Sequence, residues 1–269
     1  MELQEQRQGN TAVVEAVSDR QLSEVKGMVY MAKQFPRDEN RAIQRILKSC
    51  ERASLAERAT YEYPRGGTKV TGPSIRLAEA IAQHWGNIDF GIVELEQKDG
   101  ESTVMAYAWD LESNTRQTKI FNVAHVRERR RGSVKLTEPR DIYELVANMG
   151  ARRLRACILG VVPGDVVDLA VEKCEEVLSG NLGDNLGDVI NKMISAFKKE
   201  YGVTQKQLED LVGCKASAFS PNDITRLRGV FGSLRDGMAS VEDHFGGSSK
   251  KEADKSPFDD TDDLPEGLK

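Results

Sequence analysis

The stretch "STVMAYAWDLE", Ser102 to Glu112, decides how the chain is read. Met105, Tyr107, Trp109 and Leu111 alternate with Val104, Ala106 and Ala108. A period of two puts the first set on one face of a strand and the second on the other. Two more such runs flank it. "NIDFGIVELEQ" (Asn87 to Gln97) precedes it across the turn Lys98-Asp99-Gly100-Glu101, and "TRQTKIFNVA" (Thr115 to Ala124) follows the turn at Ser113-Asn114. Three strands in succession, joined by short polar turns, predict an antiparallel meander. No helix intervenes, so the pattern argues against a doubly wound nucleotide-binding fold.

Working outward, the meander is bracketed by helical patterns. Residues 21–34 and 38–58 read as helices. In the second, Ala42, Ile43, Ile46, Leu47 and Cys50 recur at helical spacing, and Pro36 and Asp38 mark its start. "TYEYPRGGTKVTG" then reads as a β-hairpin turning at Arg65-Gly66-Gly67. Pro73 opens a helix running to about Trp85, with Ile75, Ala78, Ile81, Ala82 and Trp85 as its apolar stripe. After the meander a basic loop, "HVRERRRGSVKLTEPR", leads into a long helix, "RDIYELVANMGARRLRACILGVV", with Thr137 as candidate N-cap. Gly150 in mid-helix costs about 1 kcal/mol against alanine, which a close backbone approach would offset. A helix over Asp165–Leu178 follows.

The expected fold class is α+β: an antiparallel meander with a hairpin, backed by helices, then a small C-terminal helical domain and an acidic tail. The boundaries read as a flexible N-terminus over 1–20, a core over 21–179, a linker over 180–187 ("SGNLGDNLGD" repeats NLGD), a helical domain over 188–245 and a disordered tail over 246–269. In the helical domain, Val189–Tyr201, Thr204–Val212 and Pro221–Met238 are the expected helices.

Composition narrows the chemistry. The 269 residues include 30% charged residues, and no apolar run approaches a membrane span. The N-terminus lacks the basic start and apolar core of a signal peptide, so a cytosolic protein is expected. Cys50, Cys157, Cys174 and Cys214 form no CxxC pair, and His84, His125 and His244 are scattered, so no metal is expected. "GGTKVTGPS" has the residue types of a phosphate-binding loop but not the Gly-Lys-Ser/Thr order that one needs. Asp89, Glu94, Asp110 and Glu112 sit near strand ends, as nuclease acids do, but no compact acidic motif joins them and they are read as solvated positions. No catalytic residue or cofactor is assigned, and the protein is read as a non-enzyme.

The net charge of −5 conceals a polarised chain. From Arg127 to Arg155 nine bases (Arg127, Arg129, Arg130, Arg131, Lys135, Arg140, Arg152, Arg153, Arg155) face four acids, a net +5. The tail from Glu252 onward has seven acids and two lysines, a net −5. Arg152 and Arg155 share a helix face. Arginines on a helix beside a sheet need anions, and single-strand phosphates would serve. Arg127, Arg129, Arg130, Arg131, Lys135, Arg152, Arg153 and Arg155 are therefore the candidate DNA contacts, with Arg65, Lys69 and Arg76 assisting. Tyr61 and Tyr63 on the hairpin are the candidates for stacking on bases; Tyr107, Trp109 and Phe121 are read as core against the helices.

The order of hairpin, helix, meander, basic segment and a helix reading "GARRLRACILGVVPGD" resembles phage single-strand annealing proteins of the RecT/Erf/Redβ superfamily. Gly150, Arg152, Arg153, Ala156, Leu159 and Gly160 carry the resemblance, which covers roughly residues 25–178. It implies ATP-independent binding and annealing of single-stranded DNA in phage recombination within the bacterial host. It also implies ring or helical homo-oligomers and an annealed duplex intermediate. Residues 188–269 would then contact a phage exonuclease or host single-stranded DNA-binding protein. "SPFDDTDDLPEGLK" resembles the acidic tip of the latter; a solubilising tail is the other reading. The alternatives are an accessory protein that binds a protein partner and a metal-dependent nuclease.

Overall fold

The computed structural model describes residues 2–65, 68–129, 132–180 and 186–246. It is an α+β protein with antiparallel sheets. The chain divides into two compact units. One joins Met1–Thr60 to Pro73–Asp184, and the other joins Tyr61–Gly72 to Asn185–Lys269.

The first unit opens with α1 (Glu2–Gln34), α2 (Glu39–Cys50) and α3 (Ala53–Ala56). Helix α1 runs through the segment that the sequence marks as a flexible N-terminus. Its glutamates, glutamines and alanines favour helix even without a sharp apolar stripe. The side chain of Asp38 caps α2 by accepting from the Arg41 amide at 3.0 Å. The expected helix over 38–58 is broken at Glu51–Arg52, where α2 stops and α3 begins. Next in this unit comes α4 (Ile75–Trp85), capped by Ser74, whose hydroxyl accepts from the Leu77 amide. Pro73 therefore ends a strand instead of starting the helix.

The meander forms as expected, from β3 (Ile88–Lys98), β4 (Glu101–Asp110) and β5 (Arg116–Ala124), ordered β3-β4-β5 and antiparallel throughout. Ala106 pairs with Ile92 on one side and Lys119 on the other, and a bulge interrupts β3 between Glu94 and Glu96. The basic segment expected as a loop is instead a short hairpin, β6 (Val126–Arg129) and β7 (Gly132–Lys135). Two helices close the unit, α5 (Pro139–Leu159) and α6 (Gly164–Gly180). Glu138, not Thr137, occupies the N-cap of α5, and Pro139 fills the first turn.

Side-chain volume decides which sheet face the helices cover. Val104, Ala106 and Ala108 are fully buried beneath α5, because small side chains let a helix come close. The approach is tightest at Gly150: a Cβ there would lie 2.9 Å from Ile92 side-chain carbons. The close approach expected at this glycine is thus present. Behind α5, helices α4, α2 and α6 complete a core of Ile46, Leu77, Ile81, Trp85, Leu154 and Ile158.

Arg37, between α1 and α2, ties this core together. Its guanidinium grips Asp110 at 2.9 and 3.0 Å, donates to the Trp85 and Gly86 carbonyls, and lies 4.5 Å over the Trp85 ring. Its backbone amide donates to the Glu112 carboxylate. Asp110 is only 2% exposed, which corrects its reading as a solvated acid. Burial alone would raise its pKa, but hydrogen bonds from Arg37 and from the amides of Glu112 and Ser113 outweigh that and hold it below the ordinary carboxylate range.

The second unit holds the first hairpin, β1 (Thr60–Arg65) and β2 (Thr68–Pro73), with α7 (Leu186–Tyr201), α8 (Gln205–Val212), α9 (Pro221–Arg235) and α10 (Val241–Phe245). Thr204 and Ser220 form capping boxes with Gln207 and Asp223, which fixes where α8 and α9 begin. Phe197, Leu208, Ile224, Leu227 and Val230 are fully buried. The hairpin was expected inside the core over 21–179. It belongs with the C-terminal helices because Glu62 on β1 pairs with Arg226 on α9.

Candidate nucleic-acid interface

Helix α5 has to do two things at once. One arc packs on the sheet through Val146, Gly150, Arg153 and Cys157, all buried. At 100° per residue the opposite arc carries Asn148, Arg152 and Arg155, and Ala156 lies to its side, toward Arg153. Asn148 and Ala156 are exposed, and Arg152 and Arg155 are half-buried. Arg152 and Arg155 thus share the outward side of the helix, as their spacing suggests, with the Nε of Arg152 buried.

Arg153 does not join them. It is 8% exposed, its guanidinium lies 4.1 Å over the Phe121 ring, and it donates to the Met149 carbonyl at 3.0 Å. Burial first, and then the charge of Arg152, pull its pKa down. Its expected role as a phosphate contact is corrected: one residue of helical rotation turns it into the helix–sheet seam.

Strand β5 runs along α5 in matched steps. Phe121 lies under Arg153, the Lys119 amide bonds the Cys157 sulfur, and Gln117 packs so close to Gly160 that a Cβ there would stand 3.0 Å away. β5 is an edge strand, and Arg116 to Ile120 are all exposed. Lys119 therefore places a base on this open edge, beside Cys157 of α5. Sequence reasoning passed over it, although its alternation with Phe121 on one strand face could have placed it beside the helix.

The other bases are dispersed. Arg127 pairs with Asp141 at 3.6 Å, Lys135 with Asp99 at 3.1 Å and Arg76 with Glu79 at 3.4 Å, all with substantial exposure. Pairs of this kind contribute little to stability and exchange readily for another anion. Lys69 is exposed on β2, in the second unit. Arg130 and Arg131 lie outside the described residues, as do the side chains of Arg65 and Arg129.

The aromatic assignments divide. Phe121 faces the helices, as expected. Tyr107 and Trp109 lie on the uncovered face, half-exposed, with the Arg116 guanidinium 5.8 and 5.5 Å from their ring centroids. Their reading as core is corrected: the helices take the Val/Ala face because a Tyr/Trp face would hold them off. Tyr61, expected to be exposed for stacking, is buried and stacks on half-buried Tyr63 at 5.7 Å.

Among the described residues, no group of three or more His, Cys, Asp and Glu could hold a metal ion, and no helix is long and apolar enough to cross a membrane. In comparisons with family models, curated proteins and solved structures, nothing matches this chain.

Proposed function

We propose that the chain binds single-stranded DNA and anneals complementary strands without ATP. It would have an annealing-protein core of the RecT/Erf/Redβ kind and act in phage recombination in the host cytosol. The observation that carries this reading is the outward arc of α5, where half-buried Arg152 and Arg155 lie on either side of exposed Asn148. Guanidinium groups on an open arc can meet a phosphate backbone, and phosphate contacts carry no sequence information. Such an interface is independent of sequence and leaves bases free to pair. Arg127 and Lys135 on the second basic hairpin, with Arg129, Arg130 and Arg131, would add phosphate contacts, as would Lys69, Arg65 and Arg76.

Nuclease chemistry is less well supported, because Asp110 is already committed to Arg37. Self-association into rings or filaments, and contacts of residues 188–269 with an exonuclease or single-stranded DNA-binding protein, belong to the same proposal. The test mixes labelled complementary strands with the protein, without nucleotide and with or without Mg²⁺. Faster duplex formation in both conditions is the expected result. Degradation that needs Mg²⁺ would replace the reading with a nuclease, and no change in either would replace it with a protein-binding accessory factor.

A further inference from the structure

The C-terminal helices hold the first hairpin by its backbone and by one desolvated ion pair. Glu62, on β1, is 9% exposed, and its carboxylate accepts from Arg226 Nε at 2.9 Å. Arg226 also donates to the Leu211 carbonyl at 3.1 Å, which fixes the guanidinium between α8 and the hairpin. One turn further along α9, Gly229 brings the helix backbone against the strand: a Cβ there would stand 3.4 Å from the Glu62 nitrogen and 3.5 Å from the Tyr61 carbonyl carbon. Within the hairpin, Tyr61 stacks on Tyr63, and its hydroxyl fills the space beside Gly72, where a Cβ would come within 2.8 Å. β1 is therefore turned to α9, while Thr68, Lys69 and Thr71 of β2 remain exposed.

A two-stranded hairpin alone is marginal in water. Binding to an unformed hairpin would carry the full cost of ordering it, and a hairpin formed beforehand avoids that cost. We infer that α9 is a docking surface for the hairpin, and that docking presents the Lys69 strand, already ordered, to the phosphates of single-stranded DNA. This inference rests on the DNA reading above. It makes the C-terminal helices a positioning element for DNA binding that need not touch DNA. Any ligand that draws Arg226 away would weaken DNA binding, and DNA would weaken that ligand by the same factor.

The test uses the full chain with Arg226→Glu, with Glu62→Arg, and with both together. Two quantities are read: hydrogen exchange of the amides over residues 60–73, and affinity for oligo-dT across a salt series. Each single variant should speed hairpin exchange by about tenfold or more, weaken oligo-dT binding several-fold, and flatten the salt slope by roughly 0.7, the value for one phosphate. The double variant, which restores the pair in reverse, should recover both. Exchange around Phe197 and Leu227 reports whether the helices remain folded. Where they do not, Glu62→Gln replaces the charge reversal, with a smaller effect of the same sign. Unchanged hairpin exchange in the single variants overturns the docking. Faster exchange with unchanged affinity and slope overturns the role in DNA binding; the α5 arginines, tested separately, then decide whether the DNA reading itself stands.

Discussion

Arg37 and Arg155 carry the same charge within the same unit and have opposite surroundings. The Arg37 side chain is 7% exposed, and two carboxylates, two carbonyls and an indole face surround it. Arg155 sits half-buried on the outward arc of α5 beside Arg152. A guanidinium enclosed by matched acceptors holds elements together and offers nothing to a ligand. One on an open arc adds little to the fold and can exchange its partners for anions in solution. Charge count alone therefore separates neither role; burial and partners do.

The comparison breaks most readily at Arg37. Arg37→Ala would leave Asp110 charged and buried without its partner, at a cost of about 3–5 kcal/mol in chemical denaturation. If the loss is under about 1 kcal/mol, the knot is not the structural element described here. The same knot sets a pH dependence. The folded Asp110 pKa lies below its unfolded value of about 3.9, so its contribution is fully present above that value and is lost as pH falls through the folded pKa. Asp110→Asn should therefore be destabilised at pH 7, and its deficit against the parent chain should shrink in acid. A constant deficit from pH 7 to 3 would contradict the assignment.

A middle-sized effect is expected where α5 meets the sheet. Gly150→Ala drives a methyl into Ile92, an overpacking cost of about 1–3 kcal/mol against about 1 kcal/mol recovered in helix propensity. A net loss of about 1 kcal/mol is predicted, and Ile92→Ala in the same chain should relieve it. If Gly150→Ala is stabilising, the helix does not need its close seat.

These two sites also mark how far the sequence could be read. Gly150 was legible because a glycine inside a strongly patterned helix demands a packing reason. The strand order was legible from alternation and turn residues. The covered sheet face was not, since Met105, Tyr107 and Trp109 alternate as well as Val104, Ala106 and Ala108; only the volume a docking helix tolerates separates them. The hairpin's partner was illegible for a different reason: Glu62 and Arg226 are 164 residues apart, and neither has a local pattern that points to the other. Arg153 shows the finest limit, because a single step of helical rotation moved it from the outward arc into the seam.

The smallest stability effect is expected on the α5 arc. Arg155→Ala should change the unfolding free energy by less than about 1 kcal/mol, in contrast to Arg37→Ala. A loss as large as that at Arg37 would erase the distinction between the two regions.

The most direct measurement is the salt dependence of oligo-dT binding for the chain carrying Arg152→Ala and Arg155→Ala, beside the parent chain. If these arginines meet phosphates, affinity falls and the slope of log K against log salt flattens by roughly 0.7 for each phosphate left without its arginine, about 1.4 for the pair. Unchanged affinity and slope, in a chain that remains folded, would contradict the account.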